Sequence, residues 1–182
     1  DAMPEQGALE ELMKVAGASP EAGIITPRLV TSEGREQVSR FRKHSILSEF
    51  VDGAQTGPVT RLFPGAEVPI YPQDWRTSPD WVSSAAVLLR RDAIDKAGPM
   101  DEGFFLYYED CDYCRRITAH GYAIVSSPNA TFRHDPGGTT KLSVRETALE
   151  RLPAYYYASR SRYFRKYYGL AGPFVANCAW LA

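Results

Sequence analysis

The sequence predicts an α/β chain. Short apolar runs, as at residues 22–26 and 130–133, alternate with segments whose apolar residues recur at helical spacing, as at 5–16 and 110–120. Proline- and glycine-bearing stretches separate these segments, and no internal repeat or low-complexity tract interrupts the alternation.

Taken in order, Pro4 stands at a first-turn position, and Ala8, Leu9, Leu12, Met13 and Ala16 follow at helical spacing. Residues 5–16 therefore read as a helix. Residues 22–26 form a short apolar run closed by Pro27, a strand. Residues 37–43 and 58–63 have weaker strand character. Pro64, Gly65, Pro69, Pro72 and Pro79 make 65–79 a loop. Residues 81–89 are the most apolar run in the middle of the chain and read as one buried strand. Residues 92–97 form a short helix stopped by Gly98 and Pro99. A helix over 110–120 ends at Gly121, strands at 122–125 and 130–133 follow, and Gly137-Gly138 makes a turn. From Ser143 onward the pattern is helical, broken near Pro153 and at 169–173.

A length of 182 residues allows one well-buried domain with an appendage, and we place the boundary at residue 140. Apolar residues at 44% and charged residues at 24% are ordinary for a globular protein. A net charge of −1 gives no reason to expect a nucleic-acid partner. No apolar run reaches the length of a membrane span, and the first residues lack the basic and apolar regions of a signal peptide. Cys111, Cys114 and Cys178 are an odd, sparse set, as expected of a reducing compartment without a disulfide framework.

The densest chemistry lies at 101–112, where Asp101, Glu102, Glu109, Asp110 and Asp112 surround the aromatic run Phe104-Phe105-Leu106-Tyr107-Tyr108. Acids at the start of the helix complement its exposed amides and dipole. The same acids, held ionised at a cleft, can take a proton from an incoming hydroxyl. His134 ends a short strand. Such a histidine either ligates a metal through a ring nitrogen or is a loop residue with a satisfied hydrogen bond.

The composite pattern is more specific than its parts. Asp80-Trp81-Val82-Ser83-Ser84-Ala85-Ala86, Leu88-Leu89-Arg90-Arg91, Gly98-Pro99-Met100-Asp101-Glu102, Phe104 through Asp112, Arg115-Arg116, Gly121-Tyr122 and His134 together resemble the family-2 glycosyltransferases. The nearest likeness is to the rhamnosyltransferase and galactofuranosyltransferase branch. It reaches to about residue 168 and is strongest from Trp81 to His134.

That resemblance implies a partial GT-A fold with a mixed sheet. Residues 1–140 would be the acceptor-side half of the catalytic domain and 141–182 a C-terminal helical extension. It implies Asp110 as general base with Glu109 as a supporting acid, Trp81 lining the acceptor site and Asp112 contacting the acceptor. Asp1 matches the last aspartate of the family's metal and nucleotide motif, because Ala2-Met3-Pro4-Glu5 follows it. Asp1 and His134 are then the candidate ligands of Mn²⁺ or Mg²⁺. The expected substrates are a nucleotide-sugar donor, with rhamnose or a galactofuranose-like sugar, and a glycan or lipid-linked sugar acceptor, joined with inversion. The strands that hold the nucleotide would precede Asp1, so this chain alone is expected to lack most of the donor pocket. Ser84 stands where the family commonly has glycine.

Gly137, Gly138, Thr139 and Lys141 have the composition of a loop that closes over a diphosphate, and equally of a surface turn. Residues 141–168 interleave arginines and lysines with tyrosines. This is either an amphipathic helix packed on the domain or a contact with a membrane surface. The branch's lipid-linked acceptors imply the second, at the cytoplasmic face of the cell membrane. Two rivals stay open: a glycoside hydrolase working with paired carboxylates, and a chain that folds or binds without turnover. Cys111 and Cys114 form a C-x-x-C on a helix, but no second ligand pair accompanies them.

Overall fold

The computed structural model describes residues 2–135 and 152–181. The fold is α/β, with a mixed four-stranded sheet at its centre. Strands β1 (Ala2–Pro4), β2 (Ala22–Val30), β6 (Leu88–Leu89) and β7 (Ala123–His134) lie in the order β1-β7-β2-β6. β7 runs parallel to β2, whereas β1 and β6 pair antiparallel to their neighbours. A second, antiparallel sheet places β3 (Arg40–Phe41) between β4 (Pro69–Ile70) and β5 (Trp81–Val82). Such an α/β arrangement, with helices added, is consistent with part of a glycosyltransferase-like fold.

Helices cover both faces of the larger sheet. Helix α1 (Ala8–Ala18) packs Ala8 and Leu12 on Ile25, Leu29 and Phe132. On the opposite face, Ile24 and Ile124 meet Ala93 of α4 (Arg91–Ala97) and Ile117 of α5 (Glu109–Ala119). Ile24 and Ile25 point to opposite faces, as the strand period requires. This double burial explains why β2 reads as a nearly unbroken apolar run. Helices α2 (Ile46–Ala54) and α3 (Gly57–Leu62) follow β3. Helices α6 (Ala154–Tyr168) and α7 (Gly172–Leu181) close the chain. Phe104, Tyr108 and Cys111 pack with Tyr163, Phe164 and Ala176 in a third cluster, so the acidic segment is seated on α6 and α7.

Several expectations are corrected. Pro4 belongs to β1, not to a first helical turn: Met3 and Pro4 pair with Arg133 and Phe132, and Gly7, with φ of 80°, turns the chain into α1. Pro27 does not end β2. It lies at the register shift where Pro27 and Arg28 pair with Ser127 and Thr131, so its missing N–H breaks no regular ladder. The same irregularity lets the two strands expected at 122–125 and 130–133 run as one. Residues 58–63 are not a strand: Gly57–Leu62 is helical, with Pro58 in its first turn. Helix α2 was not expected. Its start is fixed by a reciprocal cap, in which Ser48 N–H donates to Ser45 Oγ and Ser45 N–H donates to Ser48 Oγ.

The single strand expected at 81–89 is two. β5 joins the smaller sheet and β6 the larger, and most of the segment is only partly buried. Ser83 N–H donates to the Ser39 carbonyl and Arg90 N–H to the Gly23 carbonyl, so the segment carries the chain from one sheet to the other. The turn expected at Gly137-Gly138 lies outside the described residues.

Candidate functional site

Two consecutive tyrosines, Tyr107 and Tyr108, take the left-handed conformation, with φ of 67° and 65°. Neither is a glycine, so this backbone is strained and must be held by what surrounds it. Tyr108 is buried among the rings of His44, Tyr156 and Tyr163, with centroids 4.8, 5.7 and 5.4 Å away. From α6, Ser159 Oγ donates to the Leu106 carbonyl at 2.9 Å. Arg162 and Lys166 both reach Asp101, at 2.8 and 2.9 Å, and these cations hold its carboxyl far below the usual range. The strained turn delivers Glu109 and Asp110 as the first residues of α5.

Asp110 keeps some surface open to solvent, yet its carboxyl is packed among protein atoms. Burial first, and the neighbouring Glu109 second, push it up to about 7, although the Cys111 N–H donates to it at 2.9 Å. Burial also raises Glu109, one of whose carboxylate oxygens is buried without a hydrogen-bond partner among the described residues. An acid pair with one member half-ionised near neutral pH suits proton transfer.

Trp81 packs against the cluster that contains Tyr108 and Cys111, the residues that flank this pair in sequence. Its indole N–H donates to the Arg42 carbonyl at 2.9 Å. Phe41 stacks on it at 4.1 Å and His44 at 5.6 Å.

Asp112 is a correction. Expected to touch an acceptor, it is completely buried, and its carboxylate accepts from Arg116 at 2.9 Å and from Tyr167 at 2.6 Å and pairs with Lys166 at 2.6 Å. It joins α5 to α6 and has no open face.

His134 stands at the end of β7, opposite Ala2 in the ladder. Gln37 grips it twice: the side-chain amide donates to the His134 carbonyl, and the amide oxygen lies 3.2 Å from Nδ1. Among the described residues, no three acidic, histidine or cysteine side chains form a metal-holding group. Asp1, Gly137, Gly138, Thr139 and Lys141 lie outside the described residues.

The structure adds residues that no local sequence signal singles out. His44 lies between Trp81 and Tyr108, its Nδ1 3.7 Å from Glu49, and Glu49 in turn is bound by Arg160 of α6. These residues are scattered through the chain, and no local motif marks them. The cysteines are free. Cys111 and Cys114 are buried and their thiols pushed upward, Cys114 to about 12, so both act as small apolar residues.

No family model matches the chain. It is similar to the N-acetylglucosaminyl-diphospho-decaprenol L-rhamnosyltransferases of two Mycobacterium tuberculosis strains, CDC 1551 / Oshkosh and ATCC 25618 / H37Rv. To each it is 28% identical over 139 residues, which is 74% of this chain and 44% of the relative. The chain thus spans less than half the length of these curated relatives. Their likeness supports a glycosyltransferase.

Proposed function

We propose that this chain is the acceptor-side part of an inverting GT-A glycosyltransferase that moves rhamnose or a related sugar from a nucleotide-sugar to a lipid-linked sugar. The observation that carries the reading is the Glu109–Asp110 pair: a carboxyl pushed up to about 7 beside an acid oxygen with no hydrogen-bond partner among the described residues, at the head of a strained turn. Asp110 takes the proton of the acceptor hydroxyl. The acceptor oxygen bonds the anomeric carbon from the face opposite the leaving group. The old bond breaks with its electron pair on the nucleoside diphosphate.

Glu109 adds negative charge beside Asp110 and so favours proton capture. Asp112, Asp101 and Ser159 hold the segment to α6 and keep the base in place. His134 and, by the sequence match alone, Asp1 would hold Mn²⁺ or Mg²⁺, which as a Lewis acid would neutralise the departing diphosphate.

Membrane contact belongs to the same reading. Among the described residues no helix is long and apolar enough to cross a membrane, but Leu170, Phe174 and Leu181 are exposed at and beyond the α6–α7 turn, beside the exposed Arg165.

The test is to express the whole reading frame that carries this chain, incubate it with Mn²⁺, a panel of nucleotide-sugars and a sugar-diphospho-lipid, and follow products by mass spectrometry. Transfer that falls by roughly 10²-fold or more in Asp110→Asn is expected of a general base. Undiminished transfer in that variant removes Asp110 from the role. Release of free sugar from a glycoside, with neither nucleotide nor metal present, would instead favour the hydrolase.

A further inference from the structure

A cavity of about 430 Å³ opens at the end of β3, and its lining mixes polar with apolar side chains. Arg42, Lys43, Ser45 and Asp80 make the polar part. Leu47, Leu62 and Phe63, which are 45%, 74% and 37% exposed, make the apolar part. Three large apolar side chains left open around one groove are a binding surface rather than scattered surface residues.

The charges of the polar part favour an anion. Lys43 is exposed, and its ammonium forms no ion pair among the described residues. Arg42 spends Nη1 on the carbonyls of Glu67 and Pro69, both at 3.2 Å, which fixes the guanidinium and leaves its other N–H groups. Asp80 opposes an anion, but its Oδ2 accepts the Lys43 backbone N–H at 2.9 Å. The start of α2 at Ser45 adds its positive helix end. Arg42 is also the residue whose carbonyl takes the Trp81 indole N–H, so the groove adjoins the candidate acceptor wall.

We propose that this groove binds the diphosphate and first isoprenoid units of a polyprenyl-diphosphate-linked acceptor, which leaves the sugar to reach past Trp81 toward Asp110. Lys43 and Arg42 meet the diphosphate, and Leu47, Leu62 and Phe63 cover the lipid. The inference rests on the lipid-linked acceptor proposed above. Charged and exposed apolar side chains around one cavity match an amphipathic anion better than a plain glycan, which would leave the apolar residues unused.

Photolabelling separates the two ideas without needing turnover. The probe is N-acetylglucosamine-diphospho-farnesol carrying a benzophenone at the lipid end, and labelled tryptic fragments are located by mass spectrometry. The expected label falls on residues 44–61 and 62–76, which carry Leu47, Leu62 and Phe63. Yield drops about tenfold in Lys43→Glu, the equivalent of one lost charge contact, and also falls in Leu62→Ser. Both positions are exposed, and circular dichroism confirms that the variants fold. Label on residues 167–182, or yields indifferent to both substitutions, overturns the groove while leaving the lipid acceptor standing. No label above that given by a benzophenone lacking the diphosphate overturns the groove and the lipid-linked acceptor together.

Discussion

Arg160 of α6 and Glu49 of α2 form an ion pair inside the protein, with Nε 2.9 Å from Oε2 and both side chains at most 10% exposed. Arg160 also donates to Asn177 Oδ1 at 2.5 Å and to the Ala176 carbonyl at 3.3 Å, so one guanidinium ties together α2, α6 and α7. Breaking such a pair leaves an uncompensated buried charge. Glu49→Ala should cost about 3–5 kcal/mol. The double variant Glu49→Leu with Arg160→Met should recover much of that loss. Urea unfolding of the three proteins measures it, and a single-variant loss below about 1 kcal/mol would contradict the buried pairing.

Asp110 gives stability a pH dependence of known sign. Unfolded, its carboxyl titrates near the ordinary 3.8; folded, near 7. Between those values the folded chain keeps a proton that the unfolded chain has released. Its contribution to stability therefore falls as pH rises, by up to about 1.4 kcal/mol per unit, and is lost above 7. Asp110→Asn should flatten the slope between pH 4 and 7 and raise the melting temperature at pH 8. A melting temperature at pH 8 equal to or below that of the natural chain would show that Asp110 is not destabilised there.

Gln55 ends α2 in the left-handed conformation, with φ of 47°, and its side chain is exposed. Glycine takes that conformation without a Cβ penalty, although it loses more entropy on folding. Gln55→Gly should stabilise the chain by roughly 0.5 kcal/mol net. A denaturant midpoint that moves downward would refute the assignment of this cap.

Gly53 marks the closest approach of α2 and α7. A Cβ there would lie 2.0 Å from the Trp180 carbonyl oxygen, which belongs to backbone and has no rotamer to yield. Gly53→Ala should displace α7 and cost about 1–3 kcal/mol. Amide exchange across 172–181 is the direct readout, and protection unchanged from the natural chain would count against the contact.

Much of the architecture was readable from the residues. Helices α1, α4, α5 and α6 follow apolar spacing and the stops at Gly98, Gly121 and Gly169, and the α/β alternation follows from them. The errors share one cause, because local signals do not report partners distant in sequence. Pro27 reads as a strand end, and 122–125 and 130–133 as separate strands, yet the paired irregularity of β2 and β7 carries both strands through. The run at 81–89 is apolar throughout, and nothing in its composition reveals that its ends serve different sheets. Of the proposed site, Glu109, Asp110, Trp81 and His134 were singled out by a many-point sequence pattern. His44, Glu49 and Arg160 were not, because their roles arise only when α2 and α6 meet. Asp112 was misassigned because burial cannot be read from an acid at a helix start.

The parallel pairing of β2 with β7 also governs how fast the chain can fold. Arg28 bonds Thr131 across 103 residues of sequence, and everything from β3 to α5 must be looped out before these two neighbours join. Closure of so long a loop is entropically costly before any contact repays it, and it places this ladder late on the folding route. Until it closes, β2 exposes an unpaired, almost wholly apolar edge, the part of the chain most prone to self-association during synthesis.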